Sequence, residues 1–545
     1  MSGTPVGLSV EVPEDSQSTD PARTRRSFRF TPVAAVITVA TLLALALRVY
    51  QLAQPGHLLG VADYDEGADF GTAILLVHGV LPYRDFITVQ PPGITLLMTP
   101  AALLSRLTGT AWALGVGRIL TVLASTGAVV LGGLIVRRRG LFAVVATCGL
   151  IAIYPGSVQA AHAVLLEPWL VLFCLAGVAL TFEGDSLANS RRLMWGGVAF
   201  GFAGAIKLWA VIPAAVILVI LLAKRRHVTR YLVGVAAGFL IPVLPFAAMA
   251  PGRFYDDVVT AQLVRSSART SLSYRLEQLI GLGGLHPAKL VTEIVILIMV
   301  VGVLALIGAS LVTREQPSLL EWFAVATAGL VGVAFLVPDN FYYHYSAFFG
   351  PFLAMVIALP AARVIDNSAH ADKELESGLE SRPSRWPHGP EWRRRAAVGA
   401  AAFAVVVLPI AAPHAENIPE STYSAPIAAI TRVIPPGACV VSDQASLLIS
   451  ANRFISSVPG CLPVVDGFGT SYALGGRRAT VAGAIPAVAE LWKRAFEGAQ
   501  YVLLTQYNSR RIAWTPELRA YLRRNFVSLK GSWPGLQLYG RSRPR

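Results

Sequence analysis

Runs of about 17–25 apolar residues recur along this 545-residue chain, and each is long enough to cross a bilayer core. Inside hydrocarbon every backbone N–H and C=O must be satisfied within the segment, so such runs become helices. The first conclusion is therefore a polytopic α-helical membrane protein. Composition agrees, with 54% hydrophobic and 14% charged residues, where a soluble domain is nearer a quarter charged. Lys and Arg outnumber Asp and Glu by 46 to 32, which on a soluble chain would point to nucleic acid. Here much of the basic charge lies in short clusters between apolar runs, the pattern of cytoplasmic loops, so no nucleic-acid partner is expected.

Charge sets the expected topology. Residues 1–30 are polar, rich in Pro, Ser and Thr, and carry "RTRRSFR"; they read as a disordered cytoplasmic N-terminus. The apolar run Val33–Val49 has no small-residue cleavage site after it and reads as a signal anchor, helix 33–50. The next inside marker is "RRR" at 137–139, so only one of the stretches 94–108 and 115–136 crosses. The first is short and contains Pro100, and it is expected to lie along or dip into the outer face. Further spans follow at 141–154 and 164–182, then two short helices within 193–223 hinged near Lys207–Pro213. After them come 231–250, a long outer loop 251–288, and spans at 289–312, 320–337 and 346–364. A cytoplasmic linker 366–395 and a last span 396–412 complete an expected eleven crossings.

Residues 413–545 then fall outside the membrane. They hold β-type runs at 438–442 and 501–505 and helix-type runs at 486–496 and 516–526, enough for one small α/β domain. Of the four cysteines, Cys148 and Cys174 lie in expected helices and read as packing residues. Cys439 and Cys461 lie in the exported domain, where oxidation is permitted; a disulfide is favoured, with two free thiols as the alternative. No CxxC pair or His cluster suggests zinc.

This topology gathers unusual polar residues on one side. Asp63, Asp65, Glu66, Arg84, Asp85 and Gln90 fall in the first outer loop, and His162 and Glu167 at the second. Lys207 lies at the hinge, Arg265, Arg269 and Arg275 in the long loop, and Tyr342, Tyr343, His344 and Tyr345 at the mouth of a late helix. Ionisable residues at membrane depth usually line a functional cavity. Each also has a plainer explanation. Asp63, Asp65 or Glu167 could cap a helix, and Lys207 could snorkel to headgroups. The tyrosines could form an interfacial belt and the loop arginines could touch lipid phosphate.

The order of motifs carries a resemblance. "DEG", "LPYRDF" and "QPPG" in the first outer loop precede "LLEP", "GFAGAIK" and "HYSAFFGPFLA". This resembles the GT-C glycosyltransferases of the protein O-mannosyltransferase and aminoarabinose-transferase superfamily, over about residues 33–365. The resemblance implies a GT-C transmembrane catalytic module at 31–365 in a bacterial cytoplasmic membrane. It implies transfer of a hexose or pentose from a polyprenyl-phosphate sugar to an extracytoplasmic glycan, lipid or protein. Asp65, Glu66 and Glu167 take the positions of the family's acidic residues, and Lys207 that of its lysine. Arg84, Gln90 and His344 stand where phosphate contacts are expected, and Tyr83, Asp85, His162, Tyr343 and Tyr345 where substrate would lie. Two departures stand out: Gln90 replaces a common Lys, and His344 a common Arg. Some relatives need a divalent cation and others do not, so a metal is left open.

The residue types suit such chemistry. A sugar hydroxyl is a poor nucleophile, and a carboxylate can take its proton as it attacks the anomeric carbon. Fixed cations can stabilise the departing lipid phosphate. A transporter of lipid-linked sugars is the chief alternative, but such proteins often show paired halves and no internal repeat is evident here. A non-catalytic glycan-binding protein is the other. The bases of the exported domain, Arg477, Arg478, Lys493, Arg494, Arg510, Arg511, Arg519, Arg523 and Arg524, are expected on a solvated face. That face either meets lipid headgroups or guides an acceptor.

Overall fold

In the computed structural model, which describes residue 3 and residues 31–265, 270–282, 289–312, 316–337, 341–378, 426–475, 482–506, 508–529 and 535–542, the long apolar runs are helices. The first, Pro32–Leu52, is started by Thr31, whose hydroxyl accepts from the Ala34 amide at 3.2 Å, with Pro32 in the first position. Residues 110–153 hold two helices, Thr110–Val136 and Gly140–Ile153. Arg137–Arg139 break them apart, with Gly140 at φ 84°, a value that favours glycine. Leu166–Thr181 leads into a hairpin of β1 (Phe182–Glu183) and β2 (Ser186–Leu187). Ser190–Ile206 stops at Lys207, whose backbone is extended, and the chain resumes as Leu208–Ala210 and Val211–Ala223. The expected hinge is therefore one residue wide, and Pro213 falls inside the first turn of the second helix. Val228–Met249, Lys289–Leu311, Leu319–Leu336 and Ser346–Gly378 follow.

Six segments among the described residues are long and apolar enough to span, Thr110–Ile153 being one of them although it holds two helices. Leu166–Thr181 and Leu208–Ala223 are shorter, and 396–412 lies outside the described residues, so eleven crossings stay an expectation. Gly93–Leu103, with 11 residues, rises about 16 Å, half a hydrocarbon core, and Ser105–Thr108 follows it; that 94–108 does not cross stays an expectation. Two expectations are corrected. The loop 251–288 contains the helices Pro251–Tyr255, Ala261–Val264 and Leu272–Leu279 and a π-helical stretch, Asp256–Thr260. The last described membrane helix runs to Gly378 rather than 364: 365–378 has no proline, and its two Ala, two Glu, one Lys and one Leu favour helix. The N-terminal segment 4–30 and linker residues 379–395 lie outside the described residues.

Two helices cross with their backbones in contact. Ser190–Ile206 carries Gly197 and Gly201, and Val228–Met249 carries Gly234 and Gly238. A Cβ at Gly201 would collide with the Val235 carbonyl oxygen, and one at Gly238 with that of Val198. This is a small-xxx-small interface, read from neither helix in the sequence analysis. It fixes the helix that ends at Lys207. Gly238→Leu is expected to lower thermal stability by about 1–3 kcal/mol or more through overpacking. An unchanged melting temperature in detergent would show that the helices do not meet there.

The C-terminal residues form the expected α/β unit. Its sheet has the order β3 (Val440–Ser442), β4 (Tyr501–Thr505), β6 (Leu536–Arg541), β5 (Phe526–Ser528), with β3 and β4 parallel and the other pairs antiparallel. Pro486–Gly498 and Pro516–Asn525 bury Val488, Trp492, Phe496, Leu518 and Leu522 against Val502 and Leu504. Of the two readings for Cys439 and Cys461, the structure has them joined. The unit docks on the Tyr64–Val77 helix. Gly67 of "DEG" abuts the Ser446 backbone so closely that a Cβ there would clash. Nearby, the Thr110 hydroxyl donates to the Ile449 carbonyl at 2.6 Å, and Asn452 Oδ1 accepts from the Ala111 amide at 2.9 Å.

Candidate active site

The Tyr64–Val77 helix starts at Asp63, whose carboxylate accepts from the Asp65 amide at 2.8 Å. The capping role weighed for Asp63 is thus filled, and its other oxygen accepts from the Tyr343 hydroxyl at 2.8 Å. The next turn points Asp65 and Glu66 about 100° apart. Asp65 lines a small cavity open to solvent, its side chain 40% exposed. Glu66 is fully buried against Arg118 and also accepts from the Ala62 and Val164 amides at 3.2 and 3.3 Å. Arg118 in turn donates to the Leu58 and Gly60 carbonyls at 2.9 and 2.7 Å. The catalytic part expected for Glu66 does not fit this placement: both its oxygens are committed to holding the loop to the bundle.

Glu167 lies in the first turn of Leu166–Thr181 but serves other elements. Its Oε1 accepts from Lys207 Nζ at 2.5 Å, and its Oε2 lies 2.9 Å from His344 Nδ1. His344 Nε2 is 3.4 Å from Asp65 Oδ2, so the imidazole bridges the two carboxylates. Lys207 reaches this place because the helix breaks at its own residue. Its ammonium sits 3.7 Å from the Trp209 ring centre and 4.5 Å from that of Tyr345, both cation–π contacts. "QPPG" delivers the next wall. Gly93 packs on the Ala205 carbonyl with no room for a Cβ, which carries Gln90 to the same cavity.

Electrostatics separate the acids. Burial works to raise Asp65, but the contact with His344 and the charges of His344, Arg265 and Arg511 outweigh it and hold Asp65 below the usual carboxylate range. Asp63 moves the other way, pushed up by burial and then by the charge of Asp65. Of these two, Asp65 is therefore the more readily ionised. The carboxylates here are engaged with cations and backbone. Among the described residues no group of three or more His, Cys, Asp or Glu side chains is placed to hold a metal ion, so the divalent cation left open above has no such ligand set here.

Of the residues singled out from sequence, Asp65, Gln90, Glu167, Lys207, Arg265, His344 and Tyr345 line one cavity, with Tyr343 bonded to Asp63 beside it. Glu66, Tyr83, Arg84, Asp85 and His162 do not line it. Arg84 is exposed and paired with Asp85 at 2.9 Å, while Asp85 also accepts from the Leu81 amide at 2.8 Å. Tyr83 adopts φ 64° in a buried turn and donates to the Gln90 carbonyl at 2.5 Å. "LPYRDF" thus shapes the loop. His162 is buried against the Gln159 carbonyl.

Residues not singled out from sequence join the cavity: Asp69, Thr88, Asp466 and Phe468. Asp69 stands four residues after Asp65 on one helix face, a signal present in the sequence. Arg265 lies 5.1 Å from the Phe468 ring centre and 5.4 Å from that of Tyr342. Asp466 and Phe468 come from the C-terminal unit, and no local pattern pairs them with a loop some 400 residues earlier. Arg511 is a correction: it stacks on the Tyr64 ring at 3.6 Å instead of joining the solvated bases. Lys493, Arg494, Arg510, Arg519, Arg523 and Arg524 are exposed as expected, and Arg477 and Arg478 lie outside the described residues.

A helical membrane bundle with carboxylates and cations converging on one cavity, roofed by a small α/β unit, defines a membrane glycosyltransferase of the GT-C type. Two solved structures share the fold. ArnT from Cupriavidus metallidurans in the apo state is 15% identical, with TM-score 0.54 over 93% of this chain and 98% of that one. The same protein bound to undecaprenyl phosphate is 16% identical, with TM-score 0.52 over 93% and 97%. Residues 86–364, just over half of the chain, match the model of glycosyltransferase family 87, and the chain belongs to that family. No curated protein sequence matches it. The fold class and the transferase activity expected from the motifs are thus borne out.

Proposed function

We propose that this protein transfers a hexose or pentose from a polyprenyl-phosphate donor to an acceptor on the extracytoplasmic side of a bacterial cytoplasmic membrane. The acceptor is a cell-wall glycan, a lipid or a protein. The observation that carries the reading is a single cavity lined by an ionised, half-open carboxylate, Asp65, together with Lys207, His344 and Arg265. The likeness to a structure bound to undecaprenyl phosphate supports the donor class.

In this mechanism Asp65 accepts the proton of the acceptor hydroxyl while its oxygen bonds to the anomeric carbon. The bond from that carbon to the phosphate oxygen breaks, and the electron pair leaves on the lipid phosphate. Lys207, His344 and Arg265 stabilise the developing charge. Glu167 holds Lys207 and His344 in place, at 2.5 and 2.9 Å, so it acts through them. Gln90 and Tyr345 supply neutral contacts, and the C-terminal unit sits on the extracytoplasmic side.

Lys207→Met tests the donor half. Loss of one charge-assisted contact is expected to raise the donor KM by about 10- to 100-fold. The acceptor KM should change little, and Lys207→Arg should recover part of the loss. A donor KM unchanged in the Met variant would remove Lys207 from the phosphate site.

A further inference from the structure

The C-terminal unit contributes a second carboxylate to the cavity. Asp466, just ahead of the Gly467–Gly475 helix, lines the space that Asp65 lines. Its Oδ1 is held twice, accepting from the Tyr64 hydroxyl at 3.0 Å and the Gly469 amide at 2.8 Å. The Tyr64 oxygen accepts in turn from the Phe468 amide at 3.3 Å. Tyr64 adjoins Asp65, so this clasp fixes one carboxylate relative to the other. A Cβ at position 469 would collide with Asp466 Oδ2, so only glycine leaves that oxygen its place. Oδ2 takes part in neither of the two bonds that fix Oδ1.

Docking alone does not call for a carboxylate. An amide or hydroxyl would serve Tyr64, whereas burial raises Asp466 despite the Gly469 amide and the charges of Arg265 and Arg511, a cost that a neutral side chain would not carry. Asp466 shares the cavity with Lys207, Arg265 and His344 but comes from a different part of the chain. It belongs to the unit outside the bundle, on the side from which a water-borne acceptor arrives.

We propose that Asp466 is an acceptor-binding residue: its Oδ2 accepts a hydrogen bond from a hydroxyl neighbouring the one that attacks, so that the C-terminal unit selects polyhydroxyl, sugar-like acceptors. This rests on the glycosyl-transfer reading above. Tyr64 and Gly469 are positioning residues for it.

The test uses the full-length protein with a glycoside acceptor that the wild type glycosylates and its analogue lacking the neighbouring hydroxyl. The wild type is expected to favour the intact glycoside in kcat/KM. Asp466→Ala should cut kcat/KM for the intact glycoside by roughly 10- to 100-fold, leave the donor KM unchanged and abolish the preference. Tyr64→Phe removes the clasp but keeps the carboxylate, so it should lose some rate on both acceptors and retain the preference. A preference that survives Asp466→Ala overturns the inference. So do equal losses on both acceptors in Asp466→Ala and Tyr64→Phe alike, which would make Asp466 a docking residue only. A wild type that binds donor but glycosylates no acceptor overturns the transfer reading, and this inference with it.

Discussion

Asp65→Asn is expected to slow turnover by about 10²-fold or more, because the amide keeps the size of the side chain and loses its basicity. The fold should survive the change. The cap of the helix is Asp63, through its bond to the Asp65 backbone amide, and that bond does not involve the Asp65 side chain. The donor KM should stay within about threefold, since Lys207, His344 and Arg265 remain to hold phosphate. Nearby positive charge holds Asp65 low, so protons do not compete for it near neutrality. Any loss of rate that it causes on acidification should therefore fall below about pH 4, the ordinary carboxylate range. Near-normal turnover in the Asn variant would reduce Asp65 to a charge partner of His344.

The neighbouring acid should behave in the opposite way. Glu66→Gln leaves the buried Arg118 guanidinium without its counter-charge, which costs about 3–5 kcal/mol when one partner of a buried pair is removed. The expected result is a large drop in melting temperature, or failure to recover folded protein, rather than a selective loss of kcat. Replacing both partners by apolar residues should recover part of that stability, less whatever the Arg118 bonds to Leu58 and Gly60 contribute. A Gln variant that melts like the wild type but is inactive would return Glu66 to the chemistry.

These two predictions also mark where the sequence could be read and where it could not. Helix positions followed from hydrophobic length and basic flanks. The break at Lys207 was legible because 193–223 is too long for one span and is bounded by bases at both ends. Asp65, Glu167, Lys207 and His344 could be gathered because each interrupts an apolar context on one side of the membrane. The division of labour within "DE" was not legible. It depends on a 100° turn and on Arg118, which sits in the apolar Thr110–Val136 helix with no local sign of its partner. Arg84 and Asp85 were misplaced because adjacent opposite charges can satisfy each other at the surface, as they do. Asp466 and Arg511 escaped because their link to Tyr64 exists only once two distant parts of the chain have docked.

The most direct measurement follows label from a polyprenyl-phosphate [14C]sugar, added with purified protein and a glycoside acceptor in proteoliposomes. Separate readouts would score label in the acceptor and label moved between leaflets. The expected result is acceptor labelling by the wild type that falls by about 10²-fold or more in Asp65→Asn, with donor binding retained. Movement of labelled donor across the bilayer without acceptor labelling, or equal labelling by wild type and Asp65→Asn, would contradict a glycosyl-transfer site built on Asp65.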